Sequence, residues 1–229
     1  MTFSIAPMMK WTDQHCRYFH RILTKKAILF TEMISVDAIL YGPQHKLLSS
    51  NCFDNSTVIQ VGGNDPKKLG KVAKIVEKYG YTEINLNIGC PSNRVKSGNF
   101  GACLMASPQI VSDCVKSIKN NSNLKVSIKC RIGIDDMSSL DLDRFVSITS
   151  TAGVKKFIIH ARKAILGGLS PKQNREIPPL DYQRVEKLKK ENNDLMIILN
   201  GGIVSLEAGI KYTRDLNLDG FMMGREAYK

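Results

Sequence analysis

The sequence has no run approaching the roughly 20 consecutive apolar residues that a helix needs to cross a bilayer. Its longest fully apolar pieces are as short as Leu195–Leu199, so no membrane span is expected. The opening stretch MTFSIAPMMKWTD has no basic leader followed by an apolar segment, so no secretory signal is expected and the cytoplasm is the expected location. The cysteines at 16, 52, 90, 103, 114 and 130 form no CxxC pair and no cysteine–histidine cluster with zinc spacing, so they are expected as free thiols. No Gly-x-Gly-x-x-Gly follows the first strand candidate, which weakens a dinucleotide-binding open sheet. Acids are scarce where strands should end, with Glu32 the main exception. That scarcity argues against a two-carboxylate hydrolase and against a divalent metal.

What is abundant is positive charge. Lys and Arg number 33 against 21 Asp and Glu, a formal net charge of +12. Such a balance favours a polyanionic partner such as nucleic acid; a solvated lysine surface gives the same count. Hydrophobic residues at 43% and charged residues at 24% are ordinary for a globular chain, and no low-complexity linker divides it.

Short apolar strands alternate with amphipathic helices. The strand candidates are Phe3–Pro7, Ala27–Glu32, Thr57–Val61, Glu83–Asn87, Lys125–Cys130, Lys156–His160, Met196–Asn200 and Gly220–Gly224. Helices are expected over Pro66–Tyr79, Pro108–Asn120, Leu140–Thr151, Tyr182–Glu191 and Leu206–Leu216. Asp65-Pro66 and Ser107-Pro108 are start signals, and Gly80 and Gly153 are stop signals. Eight such units in 229 residues predict one α/β domain, 1–229, folded as a (β/α)₈ TIM barrel.

Active sites of such barrels lie at the C-terminal ends of the strands, and here those ends are polar. Gln60, Asn87, Lys129, His160, Asn200 and Arg225 all fall there. Ser127, Lys129 and Arg131 share one face by parity, as do Ile158, His160 and Arg162. Leaving such groups buried without partners costs about 1–3 kcal/mol each, so a polar ligand at the mouth explains them. Asn200-Gly201-Gly202 after the seventh strand and Gly224-Arg225 after the eighth suit a phosphate group, because glycines expose backbone N–H groups to an anion; tight turns are the plainer reading. Cys90, in Gly89-Cys90-Pro91, belongs to a loop at the mouth, where a thiol of ordinary pKa about 8.5 can donate a proton. Lys10, Arg94, Lys96, Lys163, Lys172 and Arg175 add positive charge to the loops after strands.

Taken as a set, Ala6-Pro7-Met8-Met9, Gln60-Val61-Gly62-Gly63, Asn85-Leu86-Asn87-Ile88-Gly89-Cys90-Pro91-Ser92, Lys129-Cys130-Arg131-Ile132-Gly133, His160-Ala161-Arg162-Lys163, Asn200-Gly201-Gly202-Ile203 and Gly224-Arg225-Glu226-Ala227-Tyr228 closely resemble the tRNA-dihydrouridine synthases. The segment from Leu166 to Tyr182 looks like the A branch of the bacterial enzymes, associated with uridines 20 and 20a of the tRNA D-loop. The resemblance implies reduction in two halves: NADPH reduces bound FMN, and a hydride then passes to C6 of a flipped-out uracil while Cys90 protonates C5. It implies that Pro7, Met8, Met9 and Gln60 line the flavin ring, and that Lys129 and His160 contact its edge or groups near the phosphate. Asn200, Gly201, Gly202, Gly224 and Arg225 would then hold the phosphate, Asn87 the uracil, and Lys172 and Arg175 the RNA. Members of this family carry a C-terminal helical domain; the sequence stops just past the eighth strand, so that domain and the last barrel helix are expected to be absent. A monomer is expected. The alternatives are an FMN barrel of dihydroorotate-dehydrogenase type acting on a free pyrimidine, and a non-catalytic RNA-binding fragment.

Overall fold

The computed structural model describes residues 1–49 and 56–228; Cys52 lies outside them, as do the side chains of Arg94 and Lys96. Among the described residues the strands are β1 (Thr2–Ile5), β2 (Ile28–Ser35), β3 (Thr57–Gly62), β4 (Glu83–Ile88), β5 (Lys125–Arg131), β6 (Lys156–His160), β7 (Met196–Asn200) and β8 (Gly220–Met223). They pair in sequence order, all parallel, and β8 returns to β1 to close a barrel. The helices are α1 (Gln14–Leu23), α2 (Val36–Tyr41), α3 (Gln44–Leu48), α4 (Pro66–Lys78), α5 (Asn93–Ser97), α6 (Pro108–Asn121), α7 (Ser139–Thr151), α8 (Tyr182–Glu191) and α9 (Leu206–Asp215). This is the (β/α)₈ barrel expected from the sequence. After β8 the described residues form one short 3₁₀ turn, Arg225–Tyr228. No helix among them is long and apolar enough to cross a membrane.

Local chemistry starts the helices where the sequence placed them. The Asp65 carboxylate accepts from the Lys67 and Lys68 backbone N–H groups ahead of Pro66, satisfying donors that the first turn leaves free. Ser138 and Asp141 form a reciprocal capping box at α7. The sequence reading missed α1, α2, α3 and α5. Three of these have only five or six residues, too few for a periodic pattern to show. In α1 the buried residues are Arg17 and His20, so its inward face is polar and its apolar residues Phe19, Ile22 and Leu23 are exposed.

Two apolar layers hold the barrel. Between strands and helices, Ile59, Ile84, Leu86, Phe157, Ile159 and Phe221 pack with Leu69, Val72, Phe145 and Leu188 in one continuous core. Burial of each such side chain contributes about 1.5–3 kcal/mol. Inside the barrel a separate small cluster joins Ala6, Phe30, Val58, Ile158, Ile198 and Met222. Strand alternation then fixes the rest. With Ile84, Leu86 and Ile88 facing the helices, Glu83, Asn85 and Asn87 face the interior, and Ser127 and Lys129 follow the same rule on β5. β2 carries a register shift between Phe30 and Met33, which helps bring its last residues to the barrel mouth.

Candidate active site at the barrel mouth

The interior polar residues are joined to one another. Gln60 and Asn85 are at most 1% exposed. The Gln60 Nε2 donates to Asn85 Oδ1 at 2.8 Å, and Asn87 Nδ2 donates to Gln60 Oε1 at 2.8 Å. The other end of Asn87 serves the loop that follows β4: its Oδ1 accepts from the backbone N–H of Gly89 at 3.2 Å and of Cys90 at 3.0 Å.

That loop presents Cys90. Its carbonyl accepts from Ala102 N–H at 3.0 Å, and its Sγ lies 3.4 Å from Ser92 Oγ. Gly101 stands where no other residue fits. Its φ is +74°, and a Cβ there would lie 2.2 Å from Val95 and 2.8 Å from the Cys90 carbonyl. Cys90 is half-buried and lines the cavity. Burial instead pushes the Cys114 and Cys130 thiols up to about 12, which leaves them inert as packing groups.

Near Cys90 the cavity lining is cationic. Lys129 Nζ donates to Asn200 Oδ1 at 2.9 Å, and Asn200 Nδ2 donates to the Met222 carbonyl at 2.9 Å. Burial, reinforced by the charge of Arg131, pulls the Lys129 ammonium down to about 8. His160 is held well below its ordinary value, first by burial and then by Arg131 and Lys129, so its imidazole is neutral near pH 7. It has no hydrogen-bond partner among the described residues. Arg131 is lowered to about 10 by burial and remains charged. Its guanidinium reaches the carbonyls of Gly89, Lys163 and Asn174 at 3.3, 3.2 and 2.9 Å. Among the described residues, no group of three or more His, Cys, Asp or Glu could hold a metal ion.

At the end of β7 the chain turns through Gly201 and Gly202 at φ +101° and +70°. A Cβ on Gly201 would lie 2.4 Å from His160, and one on Gly202 2.5 Å from Leu180. Tyr182 Oη donates to the Gly201 carbonyl at 2.8 Å and pins the turn. A Cβ on Gly224 would meet nothing within 4 Å. Arg225 pairs with Glu176 at 3.0 Å. Asn174, fully buried, staples the preceding loop. Its Oδ1 accepts from Ile165 N–H, and its Nδ2 donates to carbonyls of Ile165 and Leu169.

One cavity of about 790 Å³ gathers these groups. Pro7, Met8, Met9, Gln60, Asn87 and Cys90 line it. So do Lys129, His160, Arg175, Asn200, Gly201, Gly202, Gly224 and Arg225. Of the residues that the resemblance assigns to cofactor, base or RNA, Lys172 alone does not line the cavity; it sits on the exposed loop beside it. Two other expectations need correction. Arg162 does not share the mouth with His160, because β6 ends at His160 and the Arg162 guanidinium turns to the carbonyls of Glu176 and Pro178. Lys163 is spent on the carbonyls of Asp135 and Met137. Trp11, Met33 and Phe100 also line the cavity; a lone apolar side chain carries no charge or hydrogen-bonding pattern to tell it from core.

The sequence matches the family model described as dihydrouridine synthase over residues 4–229. It is 52% identical over 228 residues to the tRNA-dihydrouridine(20/20a) synthase of Vibrio vulnificus (strain CMCP6), covering 99% of this chain and 69% of that relative. Proteins of the same name from Escherichia coli O6:H1 and Yersinia pestis are 51% and 50% identical over 229 residues, each covering 99% of this chain, with 68% and 66% of the relative matched. The chain therefore spans about two thirds of the length of these curated relatives.

Proposed function

This chain belongs to the dihydrouridine synthase family, and on that premise we propose that it reduces uridine in tRNA to 5,6-dihydrouridine, at D-loop positions 20 and 20a, with FMN as cofactor and NADPH as reductant. One observation carries the reading: a single cavity holds a fixed thiol, Cys90, with a cationic lining and a glycine turn suited to an anion.

The residues present fit FMN. A cavity of about 790 Å³ is within the range of cofactor sites. The Gly201–Gly202 turn is a cradle that any Cβ would crowd, and Asn200 and Gly224 flank it. Lys129 has one neutral acceptor, Asn200, which leaves donors for an electron-rich ring. Pro7, Met8 and Met9 offer an apolar wall and Gln60 an amide. When bound, FMN would supply a hydride to C6 of the uracil after reduction by NADPH.

The protein's own part is placement and a proton. Saturating the C5=C6 bond takes one hydride and one proton, and Cys90 holds that proton at Sγ on the cavity wall. Asn87 fixes the loop that aims the thiol and keeps one N–H for the base. Lys129, Arg131 and Arg175 favour negative charge developing in the mouth. A uridine reaches this depth only when turned out of its stack. Lys10, Lys172 and Arg175 on the rim attract the phosphate backbone.

The test is an absorbance spectrum of the purified chain supplied with FMN, followed by NADPH and then unmodified tRNA. Flavin absorbance that bleaches with NADPH and recovers on adding tRNA, with dihydrouridine found at positions 20 or 20a, is the expected result. Failure to retain FMN, or recovery with free uridine as readily as with tRNA, would overturn it, the latter in favour of a free-pyrimidine reductase.

A further inference from the structure

The hydrogen bonds that fix Cys90 do not begin at the mouth. Glu83 opens β4 at the far end of the barrel and is not among the residues lining the cavity. Its carboxylate is buried and paired with Lys156 at 2.6 Å. Ser127 Oγ donates to Glu83 Oε1 at 2.6 Å, and Asn85 Nδ2 donates to Ser127 Oγ at 2.9 Å. Gln60 then donates to Asn85, Asn87 to Gln60, and the Cys90 N–H to Asn87.

We propose that Glu83 is a positioning residue for Cys90, acting through this file of side chains to fix which way every amide in it faces. The argument is one of donor and acceptor inventory. A carboxylate only accepts and a backbone N–H only donates, so both ends of the file are committed. The members between them are a hydroxyl and three carboxamides, and each can be reversed. With Glu83 as acceptor, Ser127 must donate downward, so its oxygen must accept from Asn85. The same constraint passes through Gln60 to Asn87 and leaves an oxygen, not an NH₂, facing the N–H groups of Gly89 and Cys90. An amide at position 83 has one oxygen for two donors: with that oxygen held by Lys156, its NH₂ meets Ser127 and drives the file toward the reverse order, against the backbone N–H groups at the other end. Asn87 would then point its NH₂ at two backbone N–H groups, and the Cys90 loop would lose its anchor.

Glu83→Gln keeps the volume and removes the commitment. Cys90 accessibility is read as its alkylation rate with iodoacetamide by peptide mass mapping of the full chain, with Cys16 on α1 as internal reference. The expected result is a rise of about threefold or more in the Cys90 rate relative to Cys16. Where uridine reduction is measurable, kcat falls with the KM for tRNA unchanged. A Cys90-to-Cys16 ratio that moves by less than about threefold in a cooperatively melting variant overturns the proposal. If Glu83→Gln does not fold, Ser127→Ala cuts the same file at its second member and is held to the same criterion. Alkylation needs no turnover, so an inactive wild type would count against the proposed function and leave this test standing.

Discussion

Below the mouth residues His160 and Asn200, the barrel interior is apolar on one side and polar on the other. β1, β2 and β6–β8 contribute Ala6, Phe30, Ile158, Ile198 and Met222, while β4 and β5 contribute Asn85, Asn87, Ser127 and Lys129. β3 takes part in both, with Val58 on one side and Gln60 on the other. The apolar cluster gains by burial. The polar side is neutral to stability only while its donors and acceptors are matched, and it ends at Cys90. Below the mouth, packing thus rests mainly on one wall and the fixing of Cys90 on the other.

Substitutions on the two walls should therefore separate. Cys90→Ala is expected to lower uridine reduction by about 10² to 10⁴-fold with FMN retained and the melting temperature unchanged; full activity in single-turnover assays would remove the thiol from the chemistry. On the other wall, Ile158→Ala should cost about 2–5 kcal/mol of stability. Its turnover per folded, flavin-loaded molecule should stay within about twofold of wild type, and a large fall in kcat there would blur the division. Lys129 joins both themes. Its folded value near 8 lies below the unfolded 10.4 or so. The unfolded chain thus binds more protons between those values, and stability from this group rises as pH climbs through that window. Below pH 8 the penalty is fully present. Lys129→Met should accordingly be more stable than wild type by about 2–3 kcal/mol at pH 7, with the difference shrinking by pH 10 and vanishing above about pH 10.4. Denaturation at both pH values checks the sign. The smallest effect is expected outside the cavity: Lys172→Ala should weaken tRNA binding less than tenfold and reduce the slope of log K against log salt by about 1.

The barrel was legible because buried parallel strands read as short apolar runs, and its polar exceptions were legible by parity. Asn85, Asn87 and Lys129 face inward because their neighbours in sequence must face the helices. Parity says nothing past the last strand residue, which is why Arg162 was misplaced. Charge in the sequence likewise does not say what accepts it. Lys163 looked available to a polyanion and is a brace for its own loop. Arg225 is paired with Glu176, 49 residues earlier. The inward face of α1 escaped notice because Arg17 and His20 occupy it, contrary to the apolar stripe that marks a packed helix.

Arg131 grips the Cys90 loop at the Gly89 carbonyl and the 163–181 loop at the Lys163 and Asn174 carbonyls. A single planar guanidinium cannot follow two loops that separate. A displacement of either loop must stretch a hydrogen bond to the other, and the two behave mechanically as one jaw, with Arg131 as its rivet.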